Sequence, residues 1–173
     1  GLRIYTTINP AMQRYAEEAV DEHVKNYLQP AFFKEKKGRS TAPYTNKLTK
    51  QEVETILTRA MKQSERYRLM RNAGHSVEEI RKAFDEPHEM SVFTYERGEV
   101  DTIMSSMDSI RYYKHFLRCG FMSMEPSTGY VKAYVGGPDF THFQYDMAMV
   151  GRRQVGSTIK PYLYTLAMEN GFT

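Results

Sequence analysis

The sequence predicts an α+β fold in which packed helices accompany antiparallel hairpins. Three observations carry this. Apolar residues recur at helical spacing over 10–28 and 50–84 and give way to strand-like runs near 90–104 and 121–135. Two capping boxes, Thr49-Lys50-Gln51-Glu52 and Ser76-Val77-Glu78-Glu79, announce helix starts. Two pairs of apolar runs each flank a glycine-containing turn.

The opening Arg3-Ile4-Tyr5-Thr6-Thr7-Ile8 reads as a strand, because β-branched and aromatic residues dominate until Asn9-Pro10. Asn9 suits an N-cap and Pro10 a first helical position. The helix so begun is expected to end at Pro30. Residues 34–46 combine Lys34, Lys36, Lys37 and Arg39 with Gly38 and Pro43, which predicts an exposed, mobile loop.

From the first capping box, Val53, Ile56, Leu57, Ala60, Met61 and Leu69 form one apolar stripe, stopped at Ala73-Gly74. The second capping box opens a shorter helix through Phe84, with Pro87 beyond it. Met90–Tyr95 and Val100–Met104 then flank Glu96-Arg97-Gly98-Glu99 as a hairpin. Asp108 is the expected cap of a helix over about 109–118, broken at Gly120. Phe121–Glu125 and Tyr130–Val135 make a second hairpin around Pro126-Ser127-Thr128-Gly129. A last helix is expected from near Ser157 to Asn170, with Gly171 as its stop.

Composition narrows the function classes. At 173 residues and 40% hydrophobic content the chain is ordinary for a globular domain, and no run approaches the ~20 apolar residues of a membrane span. It begins Gly1-Leu2 with no starting Met, so it is expected to be a piece of a longer protein. A net charge of +3 implies no polyanionic partner by itself. Basic residues at 50–84 scatter around the helices, so a packed helical pair is favoured over a DNA-binding helix-turn-helix and no nucleic-acid partner is expected. His23, His75, His88, His115 and His142 have no ligand spacing and Cys119 is alone, so neither a metal nor a cofactor is expected.

The chemistry-bearing candidate is Ser157-Thr158-Ile159-Lys160, the one S-x-x-K of the chain. At a helix start this spacing puts the two side chains on one face, where a lysine amine can take the proton of a serine hydroxyl. The helix N-terminus favours the developing negative charge. Taken alone, the four residues fit better with Ser157 as an N-cap and Lys160 as a solvated first-turn lysine, because such a tetrapeptide arises by chance in a chain this long.

Context changes that weighting. Gly120–Gly129, Val131-Lys132-Ala133-Tyr134-Val135-Gly136-Gly137 and Arg152–Pro161 resemble the start of the transpeptidase domain of bifunctional (class A) penicillin-binding proteins, and Tyr164–Gly171 resembles that family's nucleophile helix. Tyr5-Thr6-Thr7-Ile8-Asn9, with Met12-Gln13 and Ala16-Glu17, resembles its strand-helix entry.

The resemblance implies a partial transpeptidase domain of the penicillin-binding-protein/β-lactamase type, in three parts. These are the entry over 1–29, a mainly helical linker or insertion module over 30–115, and the first hairpin with the nucleophile helix over 116–173. It implies Ser157 as acyl-accepting nucleophile and Lys160 as its base. The implied substrates are peptidoglycan stem peptides, with β-lactams as mimics. The implied parent is a membrane-anchored synthase on the periplasmic side of the bacterial inner membrane.

The family's S-x-N and K-[ST]-G motifs follow the nucleophile, and only Pro161–Thr173 follow Lys160 here, so the piece alone is expected to be inactive. In the family the Phe121–Glu125 strand lies beside a strand from the far C-terminus. An exposed edge and a homodimer through it are therefore expected. The rival reading is a non-catalytic module that positions the parent's catalytic domains.

Overall fold

In a computed structural model, which describes residues 1–172, the chain is α+β, with helices and two separate two-stranded antiparallel sheets. Asn9 caps α1 (Pro10–His23) as expected, its side chain accepting the N–H groups of Ala11 and Met12. The preceding residues do not form a strand. Leu2, Ile4 and Tyr5 are exposed, and the segment reaches β4 (Val131–Val135) through Thr7 Oγ1, which donates to the Val131 carbonyl at 2.7 Å, and Asn9 N–H, which donates to that of Lys132 at 2.9 Å.

Pro30 does not end the first helix. A π-helical turn at Val24–Leu28 joins α1 to α2 (Gln29–Lys36), and Pro30 lies in the first turn of α2. The Gln29 N–H bonds back to the Val24 carbonyl, five residues earlier. The wider turn makes room where a proline ring would otherwise meet the carbonyl of the preceding turn. The expected loop at 34–46 is therefore helical through Lys36, and beyond it Thr41 and Pro43 are buried.

The 50–73 stripe is two helices, α3 (Lys50–Gln63) and α4 (Glu65–Asn72). Ser64 turns extended between them, its hydroxyl bonding the Met61 carbonyl and accepting the N–H of Tyr67. Leu69 is consequently exposed rather than part of the stripe. Both capping boxes are present, at Thr49/Glu52 for α3 and Ser76/Glu79 for α5 (Val77–Asp85). Accepting these hydrogen bonds holds the Glu52 and Glu79 carboxyls below the usual range.

β1 (Pro87–Thr94) pairs with β2 (Gly98–Ser105) across the turn 95–97, with Val92 opposite Val100. The cap of α6 (Ser106–Lys114) is Ser105 and not Asp108. Asp108 sits one turn inside, where its N–H and carboxylate both bond the Ser105 hydroxyl. The helix ends at Lys114, short of the expected 118. β3 (Phe121–Met124) pairs with β4, with a register shift between Ser123 and Met124.

Three small cores result. Val53, Leu57, Met61, Ile80, Phe84 and Met107 join α3, α5 and α6. Arg81 ties α5 to α3 through Glu54 at 2.6 Å and braces its own helix through Asp85 at 3.0 Å. Ala16, Ala133 and Val135 pack α1 on β4. Phe93, Phe116 and Phe143 form an aromatic cluster between the first hairpin, the end of α6 and the loop after β4. Burial in that neighbourhood pushes the Tyr95 hydroxyl up to about 12 and raises the half-buried Cys119 thiol as well.

Candidate active site at the start of the last helix

Ser157 lies in a 3₁₀ turn, Gly156–Ile159, that leads into α7 (Lys160–Glu169). Gly156 enters it at φ +51°, a left-handed conformation that a side chain would strain. The Lys160 N–H donates to the Ser157 carbonyl, so one tight turn connects the two candidate residues. Residues three apart eclipse in 3₁₀ geometry, which puts Ser157 and Lys160 on one face. Ser157 does not cap the helix through its side chain. The Thr158 hydroxyl and N–H both bond the Val155 carbonyl instead.

Both candidate side chains are exposed, and no hydrogen bond joins Ser157 Oγ to Lys160 Nζ among the described residues. Neither lines the cleft of about 690 Å³ between α1 and the 136–146 loop, whose walls include Glu17, Asp21, Asp139 and Asp146. α7 is largely apolar apart from Lys160, Thr165 and Glu169, and all its residues are exposed except the half-buried Ala167. Tyr162 is 74% accessible, Leu163 53%, Leu166 57% and Met168 64%, and no residue of the helix is buried.

The approach to this turn is more ordered than the sequence suggests. Asp146 gathers the loop after β4. Its Oδ1 accepts the N–H groups of Ala148 and Met149 at 2.9 and 3.0 Å, and its Oδ2 accepts the Tyr134 hydroxyl at 2.5 Å. These bonds lower the Asp146 carboxyl, the Tyr134 hydroxyl contributing most, and raise that hydroxyl. The loop lies against the residue before β3: a Cβ on Gly120 would sit 2.5 Å from the Ala148 nitrogen.

Tyr134 is fixed in turn by Gln13 of α1, which accepts its N–H at 2.7 Å and donates to its carbonyl at 2.8 Å. Sequence reasoning singled out neither Asp146 nor Tyr134 as site residues. The available signal was an aspartate opening an Asx-type turn shortly before the S-x-x-K. Among the described residues no group of His, Cys, Asp or Glu is arranged to hold a metal, and no helix is long and apolar enough to cross a membrane.

Comparison with known proteins places these observations. The penicillin-binding protein middle domain matches residues 39–117, overlapping the stretch expected to be a linker or insertion module. Penicillin-binding protein 1A of Escherichia coli (strain K12) is 50% identical over 52 residues, covering 30% of this chain and 6% of that protein. Penicillin-binding protein 2D of Bacillus subtilis (strain 168) is 44% identical over 57 residues, 33% of this chain and 8% of that protein. Penicillin-binding protein 1A of Neisseria flavescens is 24% identical over an alignment of 192 positions that takes in 100% of this chain and 24% of that protein. The chain therefore spans a quarter or less of the length of these relatives. No solved structure matches. The middle-domain match and the relatives along the chain together support a fragment of a penicillin-binding protein.

Proposed function

We propose that the chain is the front part of a serine D,D-transpeptidase from a bifunctional, membrane-anchored peptidoglycan synthase acting on the periplasmic side of the inner membrane. Ser157 is the nucleophile and Lys160 its base. Lys160 Nζ takes the hydroxyl proton as Ser157 Oγ attacks the carbonyl between the two D-alanines of a stem peptide. The tetrahedral intermediate collapses, the terminal D-Ala leaves with a proton on its amine, and an acyl-serine remains. An amine of a neighbouring strand then takes the acyl group and frees the serine. β-Lactams acylate the same oxygen.

The observation that carries this reading is α7. A helix with this many large apolar side chains belongs against other protein, yet Tyr162, Leu163, Tyr164, Leu166 and Met168 are all exposed, with Ser157 and Lys160 on the single turn at its head. Its packing partners lie in the rest of the parent, as do the groups that would bury the lysine and favour its neutral, basic form. The chain alone is accordingly inactive, because an oxyanion donor is typically worth ~10²–10³ in rate and the proton relay is also incomplete.

The test is labelling with a fluorescent penicillin followed by intact-mass analysis. The full-length parent gains one adduct, which Ser157→Ala abolishes, and the isolated chain gains none. The rival reading, a non-catalytic module positioning catalytic domains, draws on the middle-domain match at 39–117. A full-length parent that labels equally well as Ser157→Ala would favour it.

A further inference from the structure

We propose that His142 is a proton-operated latch between the β1–β2 hairpin and the loop after β4, closed while its ring carries two N–H groups and open when it carries one. Both ring nitrogens meet a carboxylate: Nδ1 lies 2.8 Å from Asp139 Oδ1 and Nε2 lies 3.0 Å from Glu99 Oε1. An ionised carboxylate only accepts, so each contact needs a hydrogen on the ring nitrogen. A neutral imidazole has a single N–H and can serve one of them. The closed arrangement is therefore that of the imidazolium.

The two arms differ. Asp139 stands three residues before His142 in the same loop, and its Oδ1 also accepts the His142 backbone N–H at 2.8 Å. This local arm keeps the remaining ring proton on Nδ1 when the ring is neutral. Glu99 comes from β2, 43 residues away, in the stretch similar to the penicillin-binding protein middle domain, and its side chain is mostly exposed. Once Nε2 turns a lone pair toward the Glu99 carboxylate, the two repel and Glu99 lets go.

The surroundings hold their places. Phe93, directly opposite Glu99 in the hairpin, bonds the Tyr112 hydroxyl through its carbonyl at 2.6 Å and the Tyr113 hydroxyl through its N–H at 3.0 Å, which keeps the hairpin on α6. Phe143 is buried in the aromatic cluster. What Glu99 restrains is the stretch from Pro138 to His142, of which Pro138, Asp139 and Phe140 wall the cleft of about 690 Å³ beside α1. Opening the latch loosens that wall while the cores stay packed. Asp139 and Glu99 are the charged groups that face the ring. Tyr95, Tyr112 and Tyr113 pack in the cluster and Arg118 lies 3.8 Å over the Phe143 ring, and none of these bonds His142 among the described residues. Burial lowers the imidazole, the two carboxylates outweigh it, and the ring titrates above its ordinary value. The latch is thus closed below about pH 6.5 and opens as pH rises through the folded value.

The test places spin labels on Arg97→Cys, in the hairpin turn, and on Phe140→Cys, both exposed positions, in a Cys119→Ser background. Distances between the labels are read by pulsed electron paramagnetic resonance from about pH 5.5 to 9. One narrow distance is expected at the acid end, and a second, longer population grows in as pH rises. Glu99→Ala shows the longer population at every pH. Glu99→Gln keeps the narrow distance throughout, because its amide can accept from the imidazolium and donate to the neutral ring. A distribution that does not change with pH, or a pH response that persists in both Glu99 variants, overturns the proposal. A loss of far-ultraviolet circular dichroism over the same range assigns the change to unfolding and overturns it as well.

Discussion

Gln29 and Leu117, 88 residues apart, are joined by a hydrogen bond in which the Leu117 N–H donates to Gln29 Oε1 at 2.8 Å. The same amide donates from Nε2 to the His115 carbonyl, also at 2.8 Å, and the side chain sits in a residue only 1% exposed. One glutamine at the start of α2 therefore clamps the strand of chain returning from α6 against the helix that leads out to the middle-domain region. Gln29→Leu keeps the volume and orphans both backbone groups, at about 1–3 kcal/mol for each buried group left unpaired. A lowered denaturant midpoint with an unchanged slope is the expected result; an unchanged midpoint would show that water replaces the clamp.

Leu57 is the centre of the α3–α5–α6 core at 1% exposure, packed with Phe84 and Ile80. Leu57→Ala should destabilise the chain by about 2–5 kcal/mol, the range for truncating a buried leucine. The same change at exposed Leu69 should cost under about 1 kcal/mol. Thermal melts of the two variants side by side test the division of the predicted stripe at Ser64.

His142 bridges two acids from distant segments. Its Nδ1 meets Asp139 Oδ1 at 2.8 Å, its Nε2 meets Glu99 Oε1 at 3.0 Å, and its ring lies 4.7 Å from that of Phe93. Burial pulls the imidazole down, but the hydrogen bonds to Asp139 and Glu99 outweigh it and the net shift is upward. A raised folded value means the charged form binds better in the folded state. This stability is fully present below the unfolded value of about 6.5 and is lost as pH rises through the folded value. Melting temperature should therefore fall as pH is raised from about 6, and His142→Gln should flatten that part of the profile. An identical slope in the variant would assign the pH dependence elsewhere.

Among the described residues β3 pairs with β4 alone, and Phe121, Met122 and Met124 are 45–48% exposed. The 39–117 region does not add a strand to that edge. An open, apolar edge of this kind is a template for a second copy. Light scattering after size exclusion should show mass rising with concentration toward a dimer, and Met122→Lys should restore the monomer. A monomer throughout, with slow amide exchange over 121–124, would contradict this.

Elements whose signals lie within a few residues were legible beforehand. The capping boxes at Thr49 and Ser76, the cap at Asn9, and both hairpins each depend on a side chain reaching a backbone group two or three residues away, or on a turn that brings neighbours together. The last helix was expected from near Ser157, but α7 starts at Lys160, and a 3₁₀ turn over Gly156–Ile159 stands where its first turn was expected.

What sequence could not decide was how such pieces meet. Pro30 reads as a stop, yet the helix passes it through a π turn, and Gln29 beside it is held by the chain near residue 116. Arg3–Ile8 has strand propensity, but a strand needs a partner's ladder, and here β4 supplies only the contacts of Thr7 and Asn9. Asp146 looks like an ordinary loop aspartate until Tyr134, twelve residues earlier, is turned toward it by a sheet that Gln13 braces from α1. Local hydrogen bonds are written in adjacent residues, whereas the tie between Gln13 and Tyr134 joins segments 121 residues apart and exists only once the chain has folded.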